Sequence, residues 1–271
     1  MIGNVAQVVA LISYGNTFLK TGESAEFFPA NSSFQFCNNV DFRLITKGRF
    51  FVGGSVSTIA DNPSTWFDYL SSSNCERLRF YYRRCNSVDR LADYDLSGLV
   101  GSDYRDWFIE AVYGKKSVLW RSFWDVTAPE AKNQKIWSVT YGTDGARVRQ
   151  SCTAVKISDA VVILSDALKA AIEFAAKSAL DGWNSTFVKA LNVLSSDNPE
   201  DDHYHKDLFA EPLSMDKRRL FYAAAHAWVF GGMGSWDDNW FKSKEVQREF
   251  QRVTINLYDA VNNAYGAVVN S

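Results

Sequence analysis

Four arginines crowd the segment from Arg77 to Arg84, interleaved with Leu78, Phe80, Tyr81 and Tyr82. Strict alternation predicts a strand over residues 76–84. Side chains of a strand alternate between faces, so Arg77, Arg79, Tyr81 and Arg83 share one face. A second pair, Arg147 and Arg149, recurs two apart further along the chain. If both segments lie in one antiparallel sheet, their guanidinium groups converge around a tyrosine. The planar fork of arginine pairs phosphates and carboxylates through two parallel hydrogen bonds. Arginine beside aromatic rings on a sheet is also a way to hold single-stranded nucleic acid. The competing reading is a solvated outer face, because a half-buried sheet must turn something polar outward.

A second cluster runs from Phe230 to Trp240 and contains Gly231, Gly232 and Gly234, followed by Trp236, Asp237 and Asp238. Such glycines end a helix and allow tight, positive-φ backbone that can aim N–H groups at an anion. The spacing fits neither a P-loop nor a dinucleotide fingerprint. Asp237 and Asp238 are candidate acids or bases; equally, they favour the positive end of the helix that follows. The Phe-Gly-Gly-Met-Gly-Ser-Trp run, Phe230 to Trp236, resembles a motif of uncharacterised bacterial proteins with a helical C-terminal region. The resemblance covers only the last part of the chain. It implies a bacterial or phage-like origin and no activity.

His203 and His205 stand among Asp201, Asp202 and Asp207. That composition can hold a divalent ion, but a polar loop of this kind is more commonly just solvated, so no metal is assigned. His226 falls in an alanine-rich helix and is expected to be packed. No Ser-His-Asp or Cys-His motif and no cofactor fingerprint is recognisable, so no cofactor is assigned. Cys37, Cys75, Cys85 and Cys152 form no C-x-x-C pair, which points to free thiols in a reducing, cytoplasmic compartment.

These residues need a scaffold, and the chain can build one. With 46% hydrophobic and 22% charged residues it is globular in composition, and 15% aromatics supply a ring-rich core. A net charge of −2 gives no global argument for a nucleic-acid or anionic-membrane partner. The distribution is uneven: residues 75–156 carry 14 basic and 10 acidic side chains, residues 157–271 carry 11 and 16. Apolar periodicity predicts an amphipathic helix over 4–19, not a signal peptide, and no apolar run is long enough to span a membrane.

Strands are predicted over 34–43, 49–59, 76–84 and 116–124, with a short helix from Pro63 and another helix over 103–113. A hairpin is predicted from 135–141 and 146–157, turning at Gly142-Thr143-Asp144-Gly145. After Ser158 the pattern becomes helical: a long helix striped by Leu164, Leu168 and Ile172, one over 185–194, one from 214 through Trp228, and one over 243–268. The last carries a near-heptad stripe of Val246, Phe250, Val253, Leu257, Val261 and Ala264, which could drive homo-oligomerisation. The expected fold is therefore α+β, an antiparallel β-sheet subdomain (1–157) packed against a C-terminal α-helical bundle (158–271).

The leading functional expectation is a binding or interaction protein. It would hold an anionic small molecule, nucleic acid or acidic protein surface on the arginine-bearing face. One alternative is an enzyme on a phosphate-containing or nucleotide-like substrate, with Asp237 or Asp238 beside the arginines. Another is a structural protein that assembles through its last helix. The sequence does not decide whether the protein is an enzyme.

Overall fold

The computed structural model describes residues 3–23, 26–46, 55–83, 106–150, 155–231 and 234–271. Six helices and seven strands run through them: α1 (Gly3–Thr21), β1 (Cys37–Thr46), β2 (Ser55–Ala60), α2 (Pro63–Ser72), β3 (Arg77–Arg83), β4 (Asp106–Tyr113), β5 (Lys116–Val126), β6 (Trp137–Thr143), β7 (Val148–Arg149), α3 (Ile157–Lys177), α4 (Asp181–Val193), α5 (Met215–His226) and α6 (Lys244–Val269). The class is α+β. Cys85, Cys152, residues 86–101, Gly53, Gly54 and Gly232 fall outside the described residues.

The strands form one sheet in the order β2-β1-β6-β5-β4-β3, with β7 on the edge of β5. Every neighbouring pair is antiparallel except β1 and β6, which run parallel. One face, the inner face, carries Phe42, Leu78, Phe80, Ile109, Trp120 and Tyr141, all buried. The described helices pack on this side: α1 against β3 and β4, α2 against β1 and β2, and α6 against β3. Helices α3 to α6 form the remaining layer, with α3 lying along α6. Helix α2 starts where its sequence says it should: the Asn62 side chain accepts from Thr65 N at 3.0 Å, and Pro63 fills the first turn.

Three expectations need correction. The helix predicted over 103–113 is strand β4. Buried residues point both ways from it, Trp107, Ile109 and Ala111 inward and Phe108 and Val112 outward. A strand covered on both faces reads as a continuous apolar run, which periodicity cannot tell from a helix.

Among the described residues the predicted hairpin is also absent. β6 and β7 do not pair with each other; both lie along β5. Arg121 pairs with Gly142, while Ser117 pairs with Val148, so two extra residues are accommodated between β6 and β7 on one continuous edge. Asp144-Gly145 makes this wide bulge, with Gly145 at φ +70°.

Finally, the stripe on α6 is not a surface. Phe250, Val253, Leu257, Val261 and Ala264 are buried within this chain, so the heptad-like pattern serves its own core instead of an oligomer. The boundary expected at 157/158 coincides with the start of α3, yet a single hydrophobic cluster runs from Val5 to Val268 across both halves.

The outer edge of β3 is closed by two asparagine amides. Asn16 on α1 donates to Leu78 O (2.9 Å) and accepts from Leu78 N (2.6 Å). Asn270, the C-cap of α6, does the same for Phe80 O (2.9 Å) and Phe80 N (2.7 Å). Each amide replaces the neighbour strand that an edge lacks, and blocks another chain from taking that place. Asn16→Ala combined with Asn270→Ala is expected to cost about 2–4 kcal/mol, two part-buried donor–acceptor pairs at about 1–2 each. Denaturation would read the loss, and size-exclusion chromatography would show concentration-dependent association. Unchanged stability and a monomer peak at all concentrations would contradict this role.

Candidate functional site

The structure divides the predicted arginine set. Arg77 and Arg79 do share the outer face of β3 with Tyr81, and Arg83 ends that strand opposite Asp106. Arg147 and Arg149 are not on that face. Arg149 pairs with Lys116, which pairs with Tyr113, a residue packed against the inner core. Arg147 sits with its guanidinium 5.1 Å from the centre of the Tyr113 ring. The guanidinium groups of Arg147 and Arg149 therefore do not join those of Arg77 and Arg79. Arg79 is withdrawn as well: it is buried, 4.0 Å from Glu110, which is fully buried and accepts from Ser117 Oγ at 2.7 Å.

In place of that set, the register aligns one row across five strands. Tyr81, Phe108, Arg121, Gly142 and Arg43 are successive partners on β3, β4, β5, β6 and β1. The rings of Tyr81 and Phe108 stack at 5.7 Å. Arg121 places its guanidinium 5.5 Å from the centre of the Phe123 ring, within cation–π range, and Phe123 is 42% exposed. Between the two arginines the strand carries glycine. A Cβ at position 142 would lie 2.5 Å from Ile45 Cδ1 and 3.0 Å from Phe123 Cε2, so its absence lets those side chains close over β6. The result is an apolar plate of Ile45 and Phe123 with Arg43 and Arg121 on either side.

Arg43 is aimed by its neighbours: its Nε donates to Asp41 Oδ1 at 2.9 Å and its Nη2 to Asp41 Oδ2. Asp41 also accepts from Asn39 Nδ2 at 3.1 Å. The hydrogen bond it donates to Asp41 holds the guanidinium above its usual range, so Arg43 remains charged at any working pH. Arg43, Arg121 and Phe123 were not singled out from sequence. Each lies in a strand with one arginine, so no local repeat marks them, and only the register brings them into one row.

The glycine-rich loop resolves into a structural turn. Trp236 is fully buried among Phe174, Trp183, Phe187 and Phe250, and its Nε1 donates to Thr254 Oγ1 at 2.8 Å. Asp237 accepts from Gly231 N (3.2 Å) and Ser235 Oγ (2.6 Å). Asp238 accepts from Gly234 N (2.7 Å) and Ser235 N (3.1 Å), the reciprocal cap of a short 3-10 turn. Both carboxylates thus hold their own loop. Trp236 packs into the layer of α3, α4 and α6. The structure does not bring Asp237 or Asp238 to the arginines.

All three histidines meet. His203 lies 6.2 Å from His205, 6.0 Å from His226 and 5.2 Å from Tyr222, centre to centre. His205 Nδ1 is 2.8 Å from Ser32 Oγ. Ser32 donates its hydroxyl proton to Asp207 Oδ1 and its backbone N–H to Asp207 Oδ2 at 2.7 Å. With that proton committed, the serine oxygen accepts from His205 Nδ1–H, which fixes the tautomer. Burial pushes both His203 and His205 down to about 4, so both are neutral at pH 7. Among the described residues no group of three or more His, Cys, Asp or Glu is placed to hold a metal ion, and no helix is long and apolar enough to cross a membrane.

Compared with protein-family models, curated proteins and solved structures, the chain matches none. The reading of the site therefore rests on its own geometry.

Proposed function

We propose that the protein is a binding protein that holds an anionic partner on the outer face of its sheet. The observation that supports this reading is the five-strand row in which Arg121 and Arg43 stand on either side of the Ile45–Phe123 plate. Arg43, whose Nε and Nη2 are held by Asp41, and Arg121 bring positive charge to the two sides of the plate, which draws a phosphate or carboxylate, while the exposed Phe123 ring offers a stacking surface to a planar group. Phe123, 42% exposed, and the Arg43 side chain, 39% exposed, are open to solvent on this part of the face.

Fluorescence anisotropy with a labelled single-stranded oligothymidine and with a labelled oligoglutamate tests it. Arg121→Gln is expected to weaken the bound probe tenfold or more, the loss of a charge-assisted hydrogen bond at about 1.5–3 kcal/mol. Phe123→Ala, which removes an exposed ring, is expected to weaken oligothymidine more than oligoglutamate. Unaltered affinity in both variants would overturn the proposal.

A further inference from the structure

On the inner side of the sheet, at the opposite face from the arginine row, a cavity of about 560 Å³ opens between the start of α1, the start of β1, the end of β5, the start of β6, and the loop that carries His205. That volume is in the range of small-molecule sites. Its walls are aromatic. Trp124 and Trp137 meet edge to face at 5.9 Å, and Phe36 and Tyr204 contribute rings that are 42% and 59% exposed. Among the described residues no lysine, arginine, aspartate or glutamate lines it. Its thiol, Cys37, is held neutral by burial and accepts from Gln7 Nε2 at 3.5 Å.

One polar group on these walls lacks a described partner. The Asp207–Ser32–His205 relay takes up Nδ1 of His205, and no described residue donates to its Nε2. The imidazole therefore presents a single, oriented acceptor. The relay is not a nucleophilic triad: the serine proton is directed to Asp207, away from His205, so Ser32 orients the imidazole and is not activated by it.

We infer that this cavity binds a neutral, planar-ring compound that bears a hydroxyl or N–H, with the ring between Trp124, Trp137 and Tyr204 and the donor on His205 Nε2. An anionic ring compound is disfavoured, because its charge would lose water and set a carboxylate, which has no proton to donate, against the acceptor Nε2 of His205. The site is separate from the outer face and does not rest on the anion reading.

Three probes of one shape separate the terms: 2-naphthol, its methyl ether and 2-naphthoate, titrated by isothermal calorimetry at pH 7. Saturable binding of 2-naphthol is expected, with the ether about tenfold weaker for want of the donor, and no binding of the naphthoate. His205→Phe is expected to bring 2-naphthol down to the affinity of the ether and to leave the ether unchanged. Tyr204→Ala weakens both, and Arg121→Gln weakens neither. No saturable 2-naphthol binding, or naphthoate binding as tight as naphthol, would overturn the inference. So would an equal loss of naphthol and ether in His205→Phe. If that variant does not fold, the naphthol-to-ether ratio on the unmodified protein decides the point.

Discussion

Trp236→Ala is expected to cost about 3–5 kcal/mol, the range for emptying a core position of a large ring. The tryptophan joins α3, α4 and α6 at once, through Phe174, Trp183, Phe187 and Phe250. Its removal also strips Thr254, which is fully buried, of its hydrogen-bond donor. Trp236→Phe separates the two effects. It keeps most of the packing and loses the N–H, with an expected cost of about 1–3 kcal/mol. Asp238→Ala removes only the cap of an exposed turn and is expected to cost about 1 kcal/mol. The order Trp236→Ala, then Trp236→Phe, then Asp238→Ala, read by chemical denaturation, identifies a structural turn. A loss of oligothymidine binding in Asp238→Ala at full stability would instead place this loop in the site.

Stability is expected to fall by about 2–3 kcal/mol between pH 7 and pH 5, well above the range in which carboxylates protonate. His203 and His205 are held at about 4 in the fold against 6.5 for a free imidazole. Between those values the unfolded chain binds protons that the folded chain refuses, so protonation favours unfolding. The contribution is fully present above about pH 6.5 and is lost as the pH falls toward 4. Each imidazole supplies about 1–1.5 kcal/mol at pH 5 after allowance for solvent screening. The physical source is the burial of His203 against Tyr222 and His226 and of His205 behind Ser32. Thermal melts at the two pH values measure the drop, and His203→Phe should halve it. A flat profile over this window, or ring protons that titrate near 6.5, would contradict the burial assigned to these rings.

The parts of the fold that sequence foretold are those with local signals. The cap and proline at Asn62-Pro63, the alternation over Arg77–Arg83 and the stripes of α3 and α6 each speak within a few residues. What failed depends on partners far away in the chain. Strand β4 lost its period because a partner covers each face, and the Asp144-Gly145 pair, a hairpin signal in isolation, becomes a bulge because β5 is long enough to pair with both sides of it. The site shows the same division. Alternation placed Arg77 and Arg79 on one face correctly, but only register could show that Arg149 shares the parity of Tyr113. The same holds for Gly142, which separates Arg121 from Arg43. In the Ser32–His205–Asp207 relay, residues from either end of the chain meet through hydrogen bonds that no spacing encodes.

The central claim is that the outer-face row, and not arginine content in general, holds the anionic partner. The most direct test is one anisotropy titration with single-stranded oligothymidine, run on Arg121→Gln beside the double variant Arg147→Ala/Arg149→Ala. The first removes one guanidinium from the row; the second removes two on the other side of the sheet. A tenfold or greater loss in Arg121→Gln, with the double variant close to the unmodified protein, is the predicted result. Loss in the double variant with Arg121→Gln unaffected would contradict the account and move the site to the edge of the inner face beside Tyr113.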